Sequence, residues 1–250
     1  MKTGEDDMQE IKRELAQYQT SCAVQEQKFL DSLQPADAQL LAAYDARDVD
    51  ALCRALERGA NPDVMTGWNG SPLAAVAAYD NWHEAVEALL DAGANPMAEG
   101  GELLVSLCER GPAYLLRRVL QVPGVSPDFE SGGDLLAVLA AEEGQLDCLR
   151  VLRAAGADLL ADEGKALCRA CAMNQPEVVR YLLAECGADV EAEYDDKPPL
   201  FYAVQGDAVD CARLLLEAGA DPDHADLWGR TPRNAAASVA MNELLGRYCR

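Results

Sequence analysis

The stretch Leu214-Leu-Leu-Glu-Ala-Gly-Ala-Asp-Pro222 decides how the rest of this chain is read. An amphipathic run that opens at Asp210 ends here, and Gly219 stands just past its last turn. Glycine adopts the left-handed conformation without a Cβ clash, so a glycine at this point ends a helix and redirects the chain. The phrase recurs upstream as Arg58-Gly-Ala-Asn-Pro-Asp63, Ala92-Gly-Ala-Asn-Pro96, Pro123-Gly-Val-Ser-Pro-Asp128, Ala155-Gly-Ala-Asp158 and Cys186-Gly-Ala-Asp189. Its glycines, Gly59, Gly93, Gly124, Gly156, Gly187 and Gly219, are 34, 31, 32, 31 and 32 residues apart. A fixed period of this size marks a repeat architecture.

A second helix precedes each of these runs. Leu40, Leu73, Leu104, Leu136, Leu167 and Leu200 open the set, and Ala43, Val76, Leu107, Leu139, Ala170 and Ala203 follow three residues later on the same helical face. Alanine and glycine between the helices allow close backbone approach. The unit is therefore helix, short turn, helix and Gly-ended loop.

These residues resemble the ankyrin repeat. Ser71-Pro-Leu73 and Thr231-Pro232 look like that family's Thr-Pro-Leu-His helix start, and Asp226-Leu-Trp-Gly-Arg-Thr-Pro232 looks like its finger-to-helix junction. The resemblance runs from about Pro35 to Arg250, six repeats and a shortened seventh. It implies an all-α solenoid of stacked antiparallel helix pairs over 35–250, preceded by an N-terminal segment, 1–34. Ala74, Phe201 and Asn234 replace the family's histidine. From loop glycine to the next helix's leucine position the connections count 14, 11, 12, 11, 13 and 14 residues. Long fingers at the edges, truncated ones in the middle and a groove shallow at its centre are expected.

Residues 5–33 stand outside the repeat. Ile11, Leu15, Tyr18, Cys22, Gln25 and Phe29 alternate by four and three, as a heptad seam does. Such a helix either caps the first repeat or forms a coiled coil, with a partner or with a second copy of itself.

Composition narrows the function. Forty-three acidic against 21 basic residues leave a formal charge of −22, which repels nucleic-acid phosphates and anionic membranes alike. A basic protein partner would be steered in, and screened by salt. Nine cysteines without paired finger spacing, and no apolar run at Met1–Glu14, suggest free thiols in the cytoplasm or nucleus.

Catalytic and metal signatures are missing. His83 lies at an inter-helix turn with no second histidine four residues on, and Asp221-Pro-Asp-His-Ala-Asp226 lacks the turn glycine and closing glutamate of a calcium loop. Gly164-Lys165 lacks the upstream glycine of a phosphate loop. Cys108, Cys148, Cys171 and Cys211 fall at core register positions. No enzyme, cofactor or metal is expected. The sequence points to a scaffold or adaptor that grips a basic or amphipathic segment of a partner protein; an acidic assembly chaperone or charge mimic is the alternative. Trp68, Phe129, Tyr194 and Trp228 stand at finger tips beside Glu191, Glu193, Asp195, Asp196 and Asp226. Aromatics at solvent-facing tips are the residue type that anchors interfaces. From Gly187 to Arg230 eleven acidic residues face three basic ones, which makes this stretch the expected docking patch.

Overall fold

A computed structural model describes residues 25, 28, 29, 31–67 and 70–248. The expected seam of residues 5–33, and with it the choice between cap and coiled coil, lies almost wholly outside them. The chain divides into a first compact unit ending at Glu99 and a second beginning at Gly100.

In the first unit two helix pairs, α1 (Pro35–Asp45) with α2 (Val49–Glu57) and α3 (Leu73–Tyr79) with α4 (His83–Asp91), flank a hairpin. Its strands, β1 (Met65–Thr66) and β2 (Ser71–Pro72), are antiparallel with Met65 opposite Pro72. Tyr44 and Trp82 pack ring to ring at 5.3 Å, and the Tyr44 hydroxyl donates to Asp80 Oδ2 at 2.6 Å.

The second unit alternates inner and outer helices. The inner ones are α5 (Glu102–Glu109), α7 (Leu136–Glu142), α9 (Lys165–Ala172), α11 (Pro199–Gln205) and the short α13 (Pro232–Ala235). The outer ones are α6 (Ala113–Val119), α8 (Leu146–Ala154), α10 (Pro176–Ala184), α12 (Val209–Glu217) and α14 (Val239–Gly246). Each inner helix contacts the next inner helix, and each outer helix the next outer one. One hairpin, β3 (Glu130–Ser131) with β4 (Asp134–Leu135), joins them. Among the described residues, apart from four two-residue strands and two single 3₁₀ turns, the regular structure is helical.

The leucines that open the inner helices, Leu40, Leu73, Leu104, Leu136, Leu167 and Leu200, are at most 1% exposed. Full burial of one such side chain stabilises by about 1.5–3 kcal/mol. Three residues on, Val76 and Leu139 are only half-buried, whereas every residue four on (Tyr44, Ala77, Cys108, Ala140, Cys171 and Val204) is buried. At 3.6 residues per turn the fourth residue points about 40° from the leucine and the third about 60°, so the fourth faces the neighbour more squarely.

All six loop glycines have positive φ, from +74° to +104°. At Gly219 the closure is complete: its N–H donates to Leu216 O at 3.1 Å, and Ala220 N–H reaches back to Leu215 O at 3.0 Å. Gly59, Gly93 and Gly156 repeat this Schellman pair. Around Gly124 and Gly187, the least similar phrases, the pattern shifts; there Ala188 N–H reaches one residue further back, to Leu182 O at 2.9 Å. The loops are also bonded one to the next. Asp63 Oδ1 accepts from Asn95 N–H at 2.7 Å, Asp128 Oδ1 from Asp158 N–H at 2.9 Å, and Glu191 Oε1 from Asp221 N–H. Met97 and Leu160 hold the same place in the other loops and have no side-chain oxygen to offer.

The connections correct one expectation. Those of 11 residues are truncated to single 3₁₀ turns, Ala98–Gly100 and Asp162–Gly164, but the third, of 12, forms a hairpin as long as β1–β2. Gly132 and Gly133, both at positive φ (+63° and +87°), supply the tight reversal that lets so short a connection pair with itself.

Gly219→Ala isolates the backbone constraint, because a Cβ there would meet nothing within 4 Å while φ is +104°. It should lower unfolding stability by about 1–2 kcal/mol. Gly246→Ala, equally open but at the end of helix α14 without a positive φ, should be neutral or stabilising by up to about 1 kcal/mol. Denaturant unfolding of the pair gives both numbers, and equal effects would contradict the assignment.

Candidate protein-binding surface

The docking stretch comprises two consecutive connections of the second unit. In the first, Tyr194 and Lys197 form a bridge around Asp195 and Asp196, whose φ values are +51° and +56°. Two positive φ values in a row define a hairpin turn that asparagine and glycine favour, so two aspartates here carry backbone strain. Lys197 Nζ holds Asp195 Oδ2 at 2.9 Å, and Asp196 is exposed.

The second connection is built around Asp226, whose carboxylate is buried. Oδ1 accepts from the N–H groups of Trp228 and Arg230, both at 2.9 Å, and Oδ2 pairs with the Arg230 guanidinium at 2.7 Å. Burial by itself would raise this carboxyl's pKa; hydrogen bonds from Arg230 and Trp228 outweigh it and hold the group below the usual carboxylate range. With Asp226 engaged, Leu227 and Trp228 are thrust outward, 74% and 68% exposed.

Cations of the chain itself line the aromatics. Lys165 Nζ lies 5.3 Å from the Tyr194 ring centre while bonded to Asp134 Oδ1 at 2.6 Å and Gly133 O at 3.0 Å, which pins hairpin β3–β4 to the 187–200 connection. Lys197 sits 5.8 Å from Tyr202 and 6.0 Å from Trp228, and Arg230 lies 5.0 Å from Trp228 and 5.5 Å from Phe201. An open cleft of ≈ 360 Å³ lies between Glu130, Leu135, Asp162, Glu163, Lys165 and Tyr194.

The nine candidate residues thus fall into distinct environments. Trp228, Asp195 and Asp196 are each exposed, Asp195 with Lys197 as its partner. Tyr194 is half-buried against Tyr202, whose hydroxyl donates to Tyr194 O at 2.8 Å. Glu191 and Glu193 are engaged by His224, and Asp226 by Arg230. Phe129 packs its ring over Gly101, so closely that a Cβ there would come within 2.8 Å of it. Trp68 lies outside the described residues. Sequence reasoning missed Leu227 and Lys165. Leu227 was detectable as the apolar neighbour of Trp228 in an otherwise acidic loop; nothing local marks Lys165, since its partners are about 30 residues away.

Among the described residues no group of three or more histidine, cysteine or acidic side chains is arranged to hold a metal ion. Cys108, Cys148, Cys168, Cys171 and Cys211 are buried free thiols. Burial pushes Cys148 up to about 11 and Cys168 and Cys211 up to about 12, so they stay protonated at neutral pH and pack as small apolar groups. No described helix is long and apolar enough to cross a membrane.

The family profile described as "Ankyrin repeats (3 copies)" matches residues 107–194 and 137–226. The crystal structure of the human ASB11 ankyrin repeat domain superposes with a TM-score of 0.74 at 23% identity, covering 87% of this chain and 99% of that one. The chain is an ankyrin-repeat protein. Two curated relatives are the nuclear factor NF-kappa-B p105 subunit of Gallus gallus, 34% identical over 150 residues, and the E3 ubiquitin-protein ligase KEG of Arabidopsis thaliana, 31% identical over 154. The matches cover 56% and 59% of this chain but only 15% and 9% of those proteins. They are kinships of the repeat array; what surrounds it in those proteins has no counterpart in the alignment. Ankyrin repeats generally mediate protein–protein interaction.

Asp226 offers a pH test of the loop. Because its pKa is depressed in the folded state, its contribution is complete above the unfolded value of about 3.9 and fades as pH falls through the lower folded value. The melting-temperature gap between wild type and Asp226→Asn should hold near neutrality and close on acidification. A gap that does not change with pH would contradict the buried ion pair.

Proposed function

We propose that this ankyrin array is a non-catalytic scaffold or adaptor module, which receives a basic or amphipathic segment of a partner protein on its 187–200 and 219–233 connections. The observation that carries this reading is Trp228, which stands 68% exposed with its ring 6.0 Å from Lys197, the partner of the exposed Asp195, in whose turn Asp196 is exposed as well. An exposed tryptophan supplies anchor area at little entropic cost, and the acids around it select lysine or arginine. The surface carboxylates contribute little to stability, which leaves them available for recognition.

The acidic chaperone or charge mimic is the second reading, supported by the −22 net charge. It would lose its partner steeply above about 0.1 M salt, where screening shortens electrostatic reach to roughly 10 Å, whereas an aromatic-anchored contact would lose less.

Replacing Asp195 by Asn and Asp196 by Gly tests the docking reading without harming the fold, because Asn-Gly suits this turn better than Asp-Asp. The double variant should melt at or above the wild-type temperature and recover less partner in quantitative affinity purification. Trp228→Ala should weaken the same partner by about 2 kcal/mol, roughly 30-fold in Kd. Unchanged recovery by both variants would remove this patch from consideration.

A further inference from the structure

His224 lies in the 219–233 connection, between two carboxylates of the preceding one. Its Nδ1 is 2.8 Å from Glu191 Oε2 and its Nε2 is 2.8 Å from Glu193 Oε1. Ionised carboxylates only accept hydrogen bonds, so both contacts require a hydrogen on both ring nitrogens, and that ring is the imidazolium. A neutral imidazole has one N–H and can serve one carboxylate only. Glu191 also accepts from Asp221 N–H, which fixes it in place whatever the ring does. Glu193 is the freer of the two, its side chain 51% exposed against 29% for Glu191.

We propose that His224 is a proton-operated latch between these two connections: as an imidazolium it binds Glu191 and Glu193 together, and on losing its proton it releases one of them, Glu193, to solvent or to a partner.

The surroundings support the charged state. Burial works against it, but the hydrogen bonds to Glu191 and Glu193 and their negative charge prevail and raise the pKa above the ordinary 6.5. The other charged groups of its own connection are already engaged: Asp223 by Arg233 Nε at 2.7 Å, and Asp226 by Arg230. Asp221 turns its carboxylate to its own loop, accepting from Asp223 N–H at 2.9 Å. Because the folded pKa is raised, the latch contributes its full stability below about pH 6.5 and loses it as pH climbs through the folded value.

Opening also changes the docking face. It removes one positive charge and exposes a carboxylate beside Asp195 and Asp196. A basic partner must compete with the imidazolium for Glu193, so its binding releases a proton and tightens as pH rises. This consequence rests on the docking reading above; the latch does not.

The test uses the free chain, so its outcome is separate from that of the docking reading. His83 and His224 are the two histidines of the sequence, and His83→Gln assigns their resonances. An NMR titration from about pH 5 to about pH 9 should place the His224 midpoint above 6.5, with both ring nitrogens protonated on the acid side. In Glu193→Gln, a change at a half-exposed side chain, the midpoint should fall towards the ordinary value. The stability gap between wild type and His224→Gln should be present near pH 6 and vanish as pH rises through the wild-type midpoint. A midpoint at or below 6.5, a midpoint indifferent to Glu193→Gln, or a stability gap constant with pH would each overturn the latch.

Discussion

A left-handed residue closes most of the described helices of this protein, and the rest of the architecture depends on that closure. An outer helix that continued past Ala218 would carry the chain away from its neighbours. Gly219 at φ +104° turns it back, and the last carbonyls are satisfied within the same turn. The inner helices end in the same manner with other residues: Arg47, Asn81, Gly144, Asn174 and Asp207 all have φ between +51° and +73°. After each of these five, the next N–H returns five residues to an inner-helix carbonyl, as Trp82 does to Ala77 O and Ala208 to Ala203 O. Two reversals per repeat, each tight and each hydrogen-bonded, keep the two helices of a unit antiparallel and short.

Short helices of seven to nine residues are marginal alone, so packing must hold them. The packing here is leucine against small side chains. Leu136 is flanked by Ala137, Ala140 and Ala141, and Leu167 by Ala166, Ala170 and Cys171, all buried. Small neighbours let successive inner helices approach closely, and the thiols occupy alanine-sized places with their protons retained. The aspartate and glutamate bonds then tie every second pair of neighbouring loops together at the edge. Acidic residues thereby serve structure in one place and remain outward in another, and the net charge alone does not tell the two uses apart.

The repeat and its closing glycines were legible because each is a local statement: a period, an amphipathic run, a residue able to take positive φ. The buried leucines followed from the same register, with the correction that Tyr44 and Ala77, four residues on, are covered better than Val76, three on. Chain length picked out the two truncated 11-residue connections but misplaced the 12-residue one, which the Gly132-Gly133 pair lets fold as a hairpin. The candidate site was legible in part. Trp228 and its exposure could be anticipated from a tip position in an acidic loop. That Asp226 is consumed by Arg230, Glu193 by His224 and Tyr194 by Lys165 could not be, because two of these three pairings join residues about 30 positions apart. Sequence shows which charges exist; the fold decides which are already partnered.

The amide protons of Ala60, Ala94, Ala157 and Ala220 offer the most direct test of the closure on which everything else depends. Each follows a loop glycine, and each is bonded to a carbonyl five residues back. Native-state hydrogen exchange should find them protected like amides in the middle of the outer helices, although they lie beyond the last helical turn. Exchange at the rate of an open loop would mean that the helices fray at their ends and that the repeat is held by some other constraint.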